Sequence, residues 1–562
     1  MVCLLSSICV PLAQAGTTGL LSLNDSNGEV AATYQSGDAV YLQVTDPDGN
    51  SNASAVETLT ALVTSETEDT GTPFSATAAV PGSSNTGDGT LTILSTSYDT
   101  LTEDWNLTAV SSNSFIIVGS VSGNQSQQYN LNNAESYTTS NNEVSFRIEQ
   151  GSFSFAVGDT FSFSTTSGTV VSESVTLTET GVNTGVFEGS IALAEGNASA
   201  NNNTLEVNSG DLITAFYNDA SGDWGGAVQV RSTSLYSATV IGGSTILADT
   251  VWTAANSPYL ITGDVTVQSG VTLTILEGVE VLFLANTDDQ VAGDEPYDSE
   301  LIVNGTLNVA GSEGNPVLFT SSNREPLTGD WGGIRINNNG ASFDYATIEY
   351  SAYGIYANGL ESGQTLAISR SIIQHNGNYG VRNQGSYYYG TVRITDSQII
   401  NNNGTGIYSS SAYDNWVISG NTISGNQGYG IYFNDEDDVD IRDNVIEDNT
   451  YSQIYINYVR SDFTFSDNRL SKLNSNSGSY VFYFYSGRKA DSSASTDDIT
   501  ITDNEFINSG SGDTVYVYDE GAADAVVTGN SIVGGSIGLH LRNDSTNVQP
   551  TISDNTITGT SS

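Results

Sequence analysis

The chain has 562 residues, with 64 acidic against 14 basic side chains, so its formal net charge is 14 − 64 = −50. That length exceeds one ordinary core and implies several domains. The charge excludes nucleic acid as a partner and opposes docking on an anionic membrane, while 29 Tyr and 18 Phe exclude a disordered acidic tail.

Residues 1–15 are apolar and end in Leu12-Ala13-Gln14-Ala15 before Gly16, the pattern of a cleaved leader. They carry no Lys or Arg, and a buried first strand is the competing reading. Both cysteines, Cys3 and Cys9, fall here, so a processed chain has no thiol chemistry. The expectation is a secreted or cell-surface protein. No later stretch of 18 apolar residues exists, so no transmembrane segment is expected.

From residue 19 to about 245 the text alternates like β-strands. Val40-Tyr41-Leu42-Gln43-Val44 runs into the turn Asp46-Pro47-Asp48-Gly49-Asn50, and the strand opening at Leu212 runs into Asn218-Asp219-Ala220-Ser221-Gly222-Asp223. Short strands with frequent turns predict two β-sandwich modules, 19–120 and 121–245. The phrase Glu179-Thr180-Gly181-Val182-Asn183-Thr184-Gly185-Val186-Phe187-Glu188-Gly189 resembles one that recurs in Ig-like modules of bacterial and archaeal surface proteins. The resemblance implies spacer or stalk modules. Asp46, Asp48 and Asn50, with Asp219 and Asp223, have oxygen spacings that suit a hard cation such as calcium. They equally suit plain Asx turns.

Residues 250–562 repeat. Ile418-Ser419-Gly420-Asn421-Thr422-Ile423 has counterparts beginning at Phe343, Ile368, Ile394, Ile441, Phe465, Ile501, Val527 and Ile552, in steps of 25, 26, 24, 23, 24, 36, 26 and 25 residues. No helix-length amphipathic stretch occurs, which leaves a coil of short strands stacked on itself. One register holds Asn421, Asn444, Asn468, Asn504, Asn530 and Asn555, read as a structural ladder that joins stacked turns. Earlier coils have Ala346, Ser371 and Ser397 there, so the ladder is expected only in the later ones. The pattern resembles the right-handed parallel β-helix of the pectin-lyase-like superfamily. The fold class expected is therefore all-β: two β-sandwich modules followed by a right-handed parallel β-helix.

A second strand in each coil sends one set of side chains outward by period-2 logic. The outward column reads Tyr356, Arg382, Tyr408, Tyr432, Tyr455, Phe482, Tyr516 and His540, beside a second with Asn434, Asn457, Phe484, Tyr518 and Arg542. Three readings compete: cross-coil stacking, a glycan platform, and a protein-binding face. The partner expected is an extracellular polysaccharide or a surface protein.

The superfamily resemblance also implies enzymes: lyases, with a basic residue and a cation, or hydrolases with paired carboxylates. Polygalacturonase motifs are not matched; His375 is followed by Asn376, for example. Asp435, Asp437 and Asp438 are a further calcium candidate or a solvated acidic edge, and Arg442 or Arg460 is the nearest match to a lyase base. The favoured reading is a structural or adhesive protein with an aromatic binding face. The alternative is a calcium-dependent lyase or hydrolase acting on an acidic polysaccharide.

Overall fold

A computed structural model describes residues 17–125, 129–130, 137–139, 143–149, 153–222, 227–288, 293, 295–323, 326–385, 389–410, 413–472, 480–485, 498–510, 512–519, 525–543 and 550–560. The expected leader with Cys3 and Cys9, and the calcium candidate Asp223, lie outside these residues.

Two compact units divide the chain. One runs through residue 73 and resumes over 169–238; the other comprises 74–168 and 239–562. In the first, Leu20–Asn24, Ala39–Thr45, Val186–Glu195, Glu173–Glu179, Thr58–Thr64, Leu212–Asp219, Val228–Tyr236 and Thr33–Tyr34 lie side by side in one sheet. Alternation buries Val40, Leu42, Val44, Leu177 and Phe187 on one face.

The boundary expected at 120/121 is not where the sheets divide. Thr58–Thr64 pairs antiparallel with both Glu173–Glu179 and Leu212–Asp219, so residues 74–168 interrupt one sheet system. The interrupting segment builds its own sheets, including Glu103–Ser111, Ser114–Gly119 and Thr160–Thr166, over Trp105, Phe115, Phe146 and Phe161. Alternation marks each strand but does not name its partner.

From Thr239 onward the chain is a parallel β-helix, beginning two strands earlier than the expected residue 250. Its three sheets contain 13, 12 and 12 strands among the described residues, each strand pairing with its equivalent one coil away. Ile423, Ile446, Leu470, Phe506 and Ile532 point from the first sheet into the lumen, where they are fully buried. Ile407, Ile431, Ile454 and Phe482 enter it from the second sheet, and Ile418, Ile441, Phe465 and Ile501 from the third. Trp331 stacks on Phe283 within it at 3.9 Å.

Corner turns set this geometry. The residue before each ladder position has a left-handed backbone: Asp396 (φ 51°), Gly420 (70°), Asp443 (58°), Asp467 (56°), Asp503 (58°) and Gly529 (72°). Gly has no Cβ to clash there, and Asp tolerates the region better than most side chains, so the recurring Gly-Asn and Asp-Asn phrases are the turn itself. Asn444 shows the ladder chemistry. Its backbone N–H and its Nδ2 donate to Asn468 Oδ1 at 3.0 and 2.9 Å, and Nδ2 also donates to the Ile418 carbonyl at 2.9 Å. Asn421, Asn468, Asn504 and Asn530 repeat the arrangement, and Asn555 receives its last step.

The ladder is longer than expected. Ser397 and Ser371 hydroxyls accept from the backbone N–H groups of Ser371 and Ala346, at 3.1 and 3.0 Å. A second, unforeseen ladder runs along the opposite corner of the same strands through Asn376, Asn402, Asn426 and Asn449, ending on Gln453. It also follows left-handed residues, among them His375 (φ 55°), Asn401 (54°) and Asp448 (53°). The signal for it was the Asn five residues after the first: Asn421 to Asn426, Asn444 to Asn449.

Candidate functional site

The second sheet of the β-helix carries an outward aromatic face. Tyr356, Arg382, Tyr408, Tyr432, Tyr455, Tyr483, Tyr516 and His540 are successive partners in register. All are half-buried. Beside them runs Gln384, Ser410, Asn434, Asn457, Tyr485, Tyr518 and Arg542.

One coil departs from expectation. Phe482 and Phe484 are fully buried in the lumen, and Tyr483 and Tyr485 take the outward places. The segment Tyr480-Val481-Phe482-Tyr483-Phe484-Tyr485 is aromatic or apolar at every position, so alternation alone leaves its phase open. The hydroxyl decides it, because a phenol turned inward would need a partner in an apolar lumen. Val481 instead takes the tight place that Gly406 and Gly430 hold in other coils: Ile454 N donates to its carbonyl just as Ile431 N donates to that of Gln453.

The rings stack on one another. Centroid separations are 5.2 Å for Tyr408–Tyr432, 5.3 Å for Tyr432–Tyr455, 4.4 Å for Tyr455–Tyr483 and 5.2 Å for Tyr483–Tyr516, with planes within 9° of parallel. Ring faces are therefore taken up by neighbouring rings, and the surface offers ring edges and phenol hydroxyls. Tyr429 and Tyr480 lean against this row at 45–54°. Tyr485 stacks on Tyr518 at 4.9 Å, and the Arg542 guanidinium lies 4.3 Å from the Tyr518 ring. At the far end His540 meets Tyr516 edge-on, with Nδ1 3.2 Å from Asp513 Oδ2. Burial and nearby phenols hold the Tyr432 and Tyr483 hydroxyls above the ordinary range, so these two stay unionised near neutrality.

The acidic turns are hydrogen-bonded on themselves. Asp46 is buried; its Oδ1 accepts from the N–H groups of Asp48 and Gly49, and its Oδ2 accepts from the Tyr217 hydroxyl at 2.6 Å. Asp219 accepts from the Gly19 and Ser221 N–H groups, both at 2.8 Å, and Asp48 accepts from the Ser221 hydroxyl at 2.6 Å. Asn50 donates to Asn183 at 2.8 Å. The structure thus draws Asp46, Asp48 and Asp219 together around Tyr217 and Ser221. In the β-helix, Asp435 pairs with Arg460 at 2.7 Å, Asp437 accepts from Ser461 at 2.7 Å, and Asp438 accepts from the Asp462 N–H at 3.2 Å. Among the described residues no group of three or more His, Cys, Asp or Glu side chains is arranged to hold a metal ion.

The two guanidiniums nearest to a lyase base are paired with acids. Arg442 contacts Asp440, and Arg460, besides Asp435, lies 3.5 Å from the Tyr413 ring centroid. His375 is half-buried in its turn, stacked on Tyr350 at 5.5 Å, and burial lowers its pKa. The β-helix also holds a buried polar group that sequence reading missed: Asn383, Ser409, Asp414 and Glu436, all fully buried. Asn383 Nδ2 donates to Asp414 at 2.7 Å, and Trp416 Nε1 donates to Glu436 at 3.2 Å. Its signal was polar Asn383 and Ser409 at inward positions that Phe433 and Ile456 fill in the next coils.

Two family models match the chain. A pectate-lyase-like β-helix domain covers residues 244–363, and a right-handed β-helix region covers 332–491. Over these residues the solenoid is a parallel β-helix that matches the right-handed, pectate-lyase-like kind. No curated protein matches. Similar solved structures include a periplasmic alginate epimerase variant, at 11% identity over 57% of this chain and 76% of that one, TM-score 0.37. Another is the catalytic unit of a thermostable GH87 alpha-1,3-glucanase from Streptomyces thermodiastaticus, at 12% identity over 93% and 91%, TM-score 0.35. These likenesses carry no functional weight. Among the described residues no helix is long and apolar enough to cross a membrane.

Proposed function

We propose that this is a secreted or cell-surface structural or adhesive protein whose β-helix presents its aromatic face to an extracellular glycan. The observation that carries the reading is the uninterrupted row of half-buried tyrosines from Tyr408 to Tyr516, in register on one sheet. Stacking alone accounts for the ring spacing. It does not account for the surroundings: neither outward column from Arg382 to Arg542 contains a carboxylate, in a chain with 64 of them. A neutral strip of hydroxyls, amides and ring edges suits sugar hydroxyls and their apolar C–H faces, and it removes the repulsion that an acidic surface would impose on an acidic glycan.

Co-sedimentation with a panel of insoluble polysaccharides tests this, together with assays for new reducing ends and unsaturated products. The intact protein should sediment with at least one glycan and release no product. The double variant Tyr432→Ala/Tyr455→Ala should lose about tenfold or more in binding, as loss of two central aromatic contacts would predict, while keeping its circular dichroism. Binding unchanged in that variant overturns the face, and product release replaces adhesion with catalysis.

A further inference from the structure

We infer that Arg382 is an anion-recognition point at one end of the tyrosine row, taking a carboxylate or sulfate group of the glycan. This deepens the glycan-binding reading above and rests on it.

Basic residues are scarce, and half of the described arginines of the β-helix are paired with acids. Arg370 pairs with Asp344, Arg442 with Asp440, Arg460 with Asp435, and Arg469 with Glu447 and Glu505. Arg382 has no carboxylate partner among the described residues. Its guanidinium carbon sits 4.6 Å from the Tyr356 ring centroid, 5.2 Å from Tyr379, 5.8 Å from Tyr353 and 6.0 Å from Tyr408. One Nη donates to the neutral side chain of Gln384, and Nε is buried with no protein acceptor.

Four electron-rich rings hold the cation in place without cancelling its charge. A caged guanidinium is also pre-oriented, so little freedom remains to be lost when it meets a planar or tetrahedral oxyanion. Its register partners across the sheet are Tyr356 and Tyr408, and its neighbours along the strand are Val381 and Asn383. No acid lies among them to compete for the charge. Arg335 extends the same column, its guanidinium 5.7 Å from the Tyr356 ring, so two cations border one tyrosine. In a chain of net charge −50 this is a locally positive spot on a neutral strip.

Affinity electrophoresis on one backbone in three forms tests it: dextran, carboxymethyl dextran and dextran sulfate. Retardation by one or both charged forms should exceed that by dextran about tenfold, the worth of one charge-assisted contact. Which charged form is favoured tells carboxylate from sulfate. Arg382→Gln should fall to the dextran level, while Arg382→Lys, which keeps the charge and guards against a folding artefact, should retain most of the preference and lose it with added salt. Arg382→Gln binding the charged forms as well as the parent overturns the inference, as does a parent that does not prefer them. In either case loss of binding in the tyrosine double variant would still uphold the aromatic face, whereas failure of every glycan in the panel removes both.

Discussion

Glu436 sits at an inner corner of its coil, fully buried, with one carboxyl oxygen accepting from Trp416 and the other without a hydrogen-bond partner. Burial raises its pKa well above the ordinary carboxylate value, and the nearby Asp414 charge adds to the shift. Asp414 is shifted the same way, by burial. For a carboxyl with a raised folded pKa, the folded state binds the proton more tightly. Its contribution to stability is fully present below the unfolded pKa and is lost as pH climbs from there through the raised value. Thermal melts from pH 4 to pH 8 should therefore fall less steeply for Glu436→Gln than for the parent; parallel curves would show that Glu436 folds already ionised. Nothing in the sequence around Asp435-Glu436-Asp437-Asp438 sets Glu436 apart from its exposed neighbours. The left-handed backbone at Asp435 (φ 71°) does so, because it breaks the alternation that begins at Ile431 and turns Glu436 inward. Phe482 and Phe484 carry the same lesson, because a segment aromatic on both sides yields its phase only to the cost of a buried hydroxyl.

At the level of the element, the corner asparagines do what backbone pairing between sheets cannot. Each closes a left-handed turn and hands a hydrogen bond to the next coil, so the three sheets are locked to one register at their corners. Asn444→Ala would leave the Ile418 carbonyl and the Asn421 N–H and side-chain amide short of partners inside the solenoid. Several orphaned buried groups put the cost at about 3 kcal/mol, read as a lower denaturant midpoint, whereas Asn555→Ala, whose bonds to Asn530 are only part-buried, should cost much less. Equal losses at the two sites would argue against stacking as the source. Most of this element was legible in the sequence because a repeat prints each structural need many times. The second ladder escaped notice since its Asn lies beside variable polar residues, and the strand pairing around residues 74–168 escaped because antiparallel partners far apart in the chain share no repeated phrase.

Over the whole molecule, charge dominates. With 64 acids and 14 bases the folded chain repels itself, and that repulsion extends as far as the ionic atmosphere allows. Raising salt from about 0.1 M to about 1 M shrinks the screening distance from ~10 Å to ~3 Å. The melting temperature should rise over that interval; a flat or falling curve would mean that the surface acids are already compensated by ions or pairs. Pairing of this kind is local in the structure, as Arg460 with Asp435 and Arg469 with Glu447 show. The stepwise closure of the β-helix has an evolutionary corollary. A stretch such as residues 421–443 begins and ends at equivalent corners, so duplicating or excising it hands the chain on at the same point in space. Unequal crossover between such stretches would lengthen or shorten the tyrosine strip one rung at a time without redesigning any rung.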